Sequence, residues 1–276
     1  LMWALICGAN PILPVEDIYY IYSEDKGNSW QGPFLVLSKG YWAYPYNFRL
    51  SFVANFPKVY IPLIEHSWGF LVDTVKIFYS YNSSTFNSKI IGISHGFNLP
   101  IEDTTPRISI TSYDMDTVFV VWEDMFSIKF SSSFDSCLTW RPETVIFEGL
   151  SSTPQPYIKY SPPYLHLIWR NNGLIHYSRS SDYGNTWSEP IIISQTTSPK
   201  RYPEMDIKGN FIAACWQDFR NGKPDLYYNF SIDTGNTWFN IDICISDTGR
   251  SISPDIRVDS NYVYTTWTFR EGNLFK

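Results

Sequence analysis

Four side chains in this sequence occupy one repeated position, directly after a proline and directly before Ile or Met. They are Arg107 in Pro106-Arg107-Ile108, Tyr157 in Pro156-Tyr157-Ile158, Glu204 in Pro203-Glu204-Met205 and Asp255 in Pro254-Asp255-Ile256, with Tyr46 at a looser match. An arginine there can hold an acid through charge-assisted bonds, and Tyr, Glu and Asp can move a proton. Tyr157, Glu204 and Asp255 are therefore the candidate catalytic residues. A second group follows short apolar runs: Glu123 with Asp124, Arg170, Asp218 with Arg220, and Arg270 with Glu271, while Arg201 and Arg250 lie shortly before the proline tripeptides. Arg107, Arg201, Asp218, Arg220 and Arg270 are taken from these sets as candidate ligand-binding residues. Both signs of charge edged by aromatics suit a polar ligand, hydroxylated or carboxylated, such as a sugar acid. The competing reading is structural. The tripeptide marks where strands start, and the charges pair across solvated loops at about 0 to 1 kcal/mol each.

The elements that carry these residues are set by a repeat. Residues 23–30, 180–187 and 231–238 share the pattern S-x-D-x-G-N-[ST]-W. A worn copy runs through Ser133, Asp135, Thr139 and Trp140 with Cys137 in the glycine position, and a fainter one surrounds Ser80, Asn82 and Ser84. Before each box come two apolar runs, the first ending in Trp, and after it comes a third, so each unit reads as four short strands separated by turns. Trp122, Trp169, Trp216 and Trp267 recur at spacings of 47, 47 and 51 residues. A four-stranded period of that length predicts propeller blades.

Counting such units predicts an all-β, six-bladed β-propeller of four-stranded antiparallel blades, one domain over residues 1–276. The terminal blades are incomplete, because the first unit begins inside its second strand and the last ends in its third. The chain is then either cut at both ends or closed jointly by its end units. In a propeller the starts of the inner strands and the ends of the second strands share the face around the channel mouth, which gathers the candidate residues there. The box sits at the turn between the third and fourth strands, where Asp accepts turn N–H groups and Trp covers the space between sheets. Asp25, Asp182 and Asp233 are thus read as structural.

Composition sets the remaining bounds. Aromatic residues make up 18% of the chain and charged residues 17%, a core-rich balance unlike that of a disordered chain. The formal charge of −6 argues against nucleic acid as a partner, since that needs clustered Lys and Arg. Cys7, Cys137, Cys215 and Cys244 form no metal-ligand spacing, and no metal or other cofactor is expected. Cys215 and Cys244 fall in one repeat unit but on strands two apart, which does not favour a disulfide between them. No stretch approaches the roughly 20 apolar residues of a membrane helix. Residues 1–9 read either as the tail of a signal-peptide core, although no basic start precedes them, or as a buried strand in repeat register.

The stretch Trp216-Gln-Asp218-Phe-Arg220-Asn-Gly222 through Asp225 to Ser231-Ile-Asp233-Thr-Gly235-Asn-Thr-Trp238 resembles a BNR, or Asp-box, unit of the sialidase superfamily, and the repeat extends that resemblance over nearly the whole chain. The resemblance implies a propeller at the surface of a cell or outside it, with a glycan, a sugar acid or a protein as partner. In the enzymes of that family three arginines clamp the substrate carboxylate, a Tyr nucleophile is assisted by a Glu, and an Asp acts as acid/base. The first arginine lies in a Phe/Tyr-Arg-Ile-Pro motif. Phe48-Arg49-Leu50-Ser51 is the nearest match and Pro106-Arg107-Ile108-Ser109 a weaker one, so Arg49 joins the candidate ligand-binding residues, but neither carries the final proline. The resemblance therefore favours ligand recognition at the channel mouth without required catalysis, with exo-α-sialidase hydrolysis as the alternative.

Overall fold

The structure is a computed structural model that describes residues 2–9, 16–25, 27–39, 52–55, 57–65, 72–82, 85–95, 107–246, 250–271 and 274–275. Among them every regular element is a strand, and no helix is long and apolar enough to cross a membrane. The strands form six antiparallel sheets, each sequential in order. The first holds β1 (Met2–Ala9), β2 (Glu16–Ser23) and β3 (Gln31–Lys39). The second holds β4 (Val53–Asn55), β5 (Lys58–Glu65), β6 (Asp73–Ser80) and β7 (Asn87–Ser94). The third holds β8 (Ile108–Ser112), β9 (Val118–Asp124), β10 (Ser127–Ser133) and β11 (Thr144–Phe147). The fourth holds β12 (Tyr157–Ser161), β13 (Tyr164–Asn171), β14 (Leu174–Ser180) and β15 (Ile191–Ile192). The fifth holds β16 (Lys200–Lys208), β17 (Phe211–Asp218), β18 (Asp225–Ser231) and β19 (Ile243–Cys244). The sixth holds β20 (Arg250–Val258), β21 (Val263–Glu271) and β22 (Leu274–Phe275). The chain divides into two compact units, Leu1–Met125 with Phe130–Thr144 and Phe126–Lys129 with Val145–Lys276.

Within each unit the sheets pack through aliphatic and aromatic faces. In the first, Trp122 is buried with Tyr60, Val75, Ile77 and Ile91, and its indole N–H donates to the Ile93 carbonyl at 3.0 Å. In the second, Trp216 is buried with Ile168, Ile175, Tyr177 and Met205, so the β17 tryptophan covers the face of the preceding sheet. Trp169 stacks on Phe147 with ring centroids 4.5 Å apart. Cys215 is buried and Cys244 exposed, and both are free thiols.

The box turns share one bonding scheme. In the turn at Asp182, Ser180 Oγ donates to Asp182 Oδ1 at 2.8 Å and accepts Gly184 N at 2.8 Å, while Asp182 also accepts Thr186 N at 2.9 Å and Thr186 Oγ1 at 2.6 Å. The turns at Asp25, Asp135 and Asp233 repeat these bonds. Cys137 takes the glycine position with φ +67°, so the worn copy keeps the geometry and carries the backbone strain. The Ser29 hydroxyl, then the Ser29 amide and the Ser23 hydroxyl, hold Asp25 down at a pKa of about 2. Trp238, which ends the last of these boxes, packs edge-on against Tyr177 of the preceding sheet at 5.2 Å.

One expectation shifts. The proline tripeptide opens β12, but in β16 and β20 the strands begin earlier, at Lys200 and Arg250, and the tripeptide sits at a break in register between Arg201 and Glu204 and between Ile252 and Asp255. Proline has no N–H to give to the ladder, so the pairing bulges around it. The residue before each proline takes up the kink in the left-handed region: Gln155 at φ +47°, Tyr202 at +55° and Ser253 at +53°.

Candidate functional site

In the second unit β12, β16 and β20 lead their sheets, and alternation along each strand sorts their side chains. Ile158, Met205 and Ile256 are fully buried on one side. The residues between them carry the chemistry: Tyr157 and Lys159, Glu204 and Asp206, Asp255 and Arg257. Lys159 Nζ reaches Asp206 Oδ1 at 2.7 Å, and Asp206 Oδ2 accepts Val258 N at 2.8 Å. Arg257 pairs with Asp255 at 2.5 Å and donates to the Ile256 carbonyl at 2.7 Å. Glu204 and Asp206 are both buried.

These groups feel one another. Burial, then the charge of Glu204, pushes the Tyr157 phenol well above its ordinary range, and Arg257 only partly offsets this. Burial works against the Arg257 charge, but Tyr157, Asp255, Asp206 and Glu204 together leave its pKa raised. The cluster therefore presents a phenol held protonated, a guanidinium held charged and the Lys159–Asp206 ion pair, with donors and acceptors interleaved on three strands. That set can bracket vicinal hydroxyls. The Glu204 charge acting on the Tyr157 phenol is the kind of coupling between carboxylate and phenol that an activated nucleophile uses.

Tyr157, Glu204 and Asp255 stand on β12, β16 and β20, and the charges of Glu204 and Asp255 both act on the Tyr157 phenol. Arg201 lies over the Phe219 ring at 5.1 Å, close to the strained Tyr202, whose amide donates to Gln155 Oε1 at 2.8 Å. Arg170 fastens the neighbouring sheet, donating from Nε to the Thr153 carbonyl at 2.7 Å and from Nη1 to the Lys200 carbonyl at 2.9 Å. Asp218 and Arg220 sit in an internal ion cluster. Arg220 Nη2 bonds Asp218 Oδ2 and Asp242 Oδ2, each at 2.6 Å, and its guanidinium lies 3.8 Å from the Tyr227 ring centroid. Asp218 is fully buried, and although burial opposes its charge, the bonds from Arg220 and Ser198 hold its pKa down.

Arg107 lies in the first unit, where its carbonyl accepts Glu123 N at 2.8 Å. Also in that unit, Asp124 binds the His95 amide at 2.5 Å and its ring at 2.8 Å. Arg270 pairs through its backbone with Arg250 and Phe275, and the side chains of Arg270, Arg250 and Glu271 lie outside the described residues, as do Arg49 and Tyr46 entirely. The sequence reading missed Lys159, Asp206 and Arg257. Each is two residues beyond a residue it had singled out, so the alternation of a strand was the available signal. Among the described residues no group of three or more His, Cys, Asp or Glu side chains could hold a metal ion.

No protein-family model matches the chain, and no curated protein matches it in sequence. Solved structures do resemble it. A protein of unknown function from Dyadobacter fermentans aligns at TM-score 0.63 with 14% identity, over 96% of this chain and 83% of that one. Trypanosoma rangeli sialidase, in complex with 2,3-difluorosialic acid, aligns at 0.60 with 12% identity, over 99% of this chain and 51% of the sialidase. The GH93 α-L-arabinofuranosidase of Fusarium graminearum, in complex with arabinobiose, aligns at 0.52 with 12% identity, over 76% of this chain and 71% of that one. At these identities the likeness is one of fold, an all-β, propeller-like arrangement of four-stranded antiparallel sheets.

Proposed function

We propose that this chain is a carbohydrate-recognising, six-bladed β-propeller of the sialidase-like, Asp-box type. It forms one domain over residues 1–276, acts outside the cell or at its surface, and takes up its ligand at the ends of the inner strands. The observation that supports the reading is the Lys159–Asp206 and Arg257–Asp255 ion pairs on the three strands β12, β16 and β20, which also carry Tyr157 and Glu204. Arg49, Arg107, Arg201, Asp218, Arg220 and Arg270 are each proposed as ligand-binding residues, the arginines to meet an acidic group of a ligand. Two of the structural neighbours are solved with arabinobiose and a sialic-acid derivative bound, which supports a glycan as the partner in preference to a protein.

The second reading, glycoside hydrolysis of the exo-α-sialidase type, is favoured by the action of the Glu204 charge on the Tyr157 phenol. The two readings separate in an assay with fluorogenic sialosides and arabinofuranosides. Recognition alone gives no turnover above the uncatalysed rate. Turnover that disappears in both Tyr157→Phe and Glu204→Gln, with melting unchanged, replaces recognition by hydrolysis.

A further inference from the structure

Lys200 is fully buried at the start of β16, and its ammonium is surrounded by six oxygen atoms from four residues. They are the Gly173 carbonyl at 2.9 Å, the Thr196 carbonyl, Thr196 Oγ1 at 3.2 Å, the Ser198 carbonyl at 3.2 Å, Ser198 Oγ at 3.1 Å and Asp218 Oδ2 at 3.2 Å. An ammonium carries three protons, so it can direct bonds at only half of this shell. Carbonyls and hydroxyls closing from several sides on one point of positive charge are the coordination shell of an ion, the arrangement by which backbone carbonyls replace the hydration of potassium in selectivity filters.

We infer that this cage is a monovalent-cation site, filled in this chain by a tethered side-chain cation, and that it binds potassium once the tether is removed. The chemistry selects the ion. Magnesium and calcium need oxygens at about 2.0 to 2.6 Å and several carboxylates, whereas this shell lies mostly near 3 Å and contributes a single carboxylate, already shared with Arg220. The charge balance points the same way. Lys200 and Arg220 together neutralise Asp218 and Asp242, so removing the Lys200 charge leaves a buried site one negative charge in excess, which a cation from solvent can restore. The cage also has a structural task. It ties the turn at Gly173 between β13 and β14 to the loop carrying Thr196 and Ser198 and to the end of β17, and so fixes where Arg201, Tyr202 and Glu204 begin their strand.

The test compares the unmodified chain, Lys200→Ala, which empties the cage, and Lys200→Met, which fills it with an uncharged stem. Thermal unfolding is followed in potassium chloride and in tetramethylammonium chloride at equal ionic strength, since tetramethylammonium is too large for the shell. Lys200→Ala should melt higher in potassium, and above the dissociation constant each tenfold rise in potassium should lower its unfolding constant about tenfold, as one-site linkage requires. The unmodified chain and Lys200→Met should melt alike in both salts. A Lys200→Ala variant that melts alike in both salts, or that folds in neither, overturns the inference, and so does an equal potassium response in Lys200→Met.

Discussion

Gly235 offers the sharpest test of how the box turn is packed. Its φ is +82°, and a Cβ added to it would lie within 2.6 Å of three atoms of Tyr177: the hydroxyl, Cζ and a ring Cε. Tyr177 cannot easily withdraw. Its ring is held against Trp238 at 5.2 Å, and its Oη meets His166 Nδ1 at 2.7 Å and the Thr234 carbonyl at 3.3 Å. Gly235→Ala therefore carries two costs. A non-glycine residue in the left-handed region costs about 1 to 2 kcal/mol, and forcing an extra carbon into a packed site costs about 1 to 3 kcal/mol. Gly222 isolates the first, because its φ is +76° while nothing lies within 4 Å of an added Cβ. Urea unfolding should thus show Gly235→Ala destabilised by about 2 to 5 kcal/mol and Gly222→Ala by about 1 to 2 kcal/mol, with unchanged m-values. In a Tyr177→Ala background the two alanine substitutions should cost the same, since the steric contribution is gone. Equal costs in the unmodified background would refute the packing described for the box.

Two further outcomes follow from the same region. Trp238→Ala should cost about 3 to 5 kcal/mol, as deletion of a large packed aromatic does, and calorimetric melting of the variant checks it. His166 should make stability fall with acid. Burial, then the charge of Arg179, pushes its pKa down to about 3 from an ordinary 6.5, so the unfolded chain takes up a proton that the folded chain refuses. His166 should contribute a decline of up to about 1.4 kcal/mol per pH unit as pH falls from about 6.5 toward 3, and Gln in place of His166 should reduce the slope in urea titrations to the share left by His176, whose pKa burial also lowers.

What could be read from the sequence was what local chemistry fixes. The box turn needs only residues within eight positions of one another, so S-x-D-x-G-N-[ST]-W specified its hydrogen bonds, and the Trp spacing specified sequential four-stranded antiparallel sheets. The bulges at Tyr202 and Ser253 were not legible, because whether a strand restarts before or after a proline depends on the partner strand's register. Charge partners were hidden for a similar reason. Nothing in the neighbourhood of Arg220 announces Asp242, 22 residues on, and Lys200 gives no sign in sequence of the oxygens that close around it from β17 and two turns. Tyr157, Glu204 and Asp255 could be assigned to equivalent places on β12, β16 and β20 because they share a repeated position, whereas their neighbours Lys159, Asp206 and Arg257 needed alternation to be applied as well.

The central claim is that the inner-strand cluster binds a glycan, and the measurement that reaches it most directly is a binding isotherm. The unmodified chain and Glu204→Gln are titrated with arabino-oligosaccharides and sialyllactose, with melting recorded for both proteins. One hydrogen bond to a charged group contributes about 1.5 to 3 kcal/mol, so replacing the carboxylate by an amide of the same shape should weaken binding by about 10- to 100-fold while the melting temperature holds. Binding of neither sugar class by the unmodified chain, or undiminished binding by Glu204→Gln, would contradict the account.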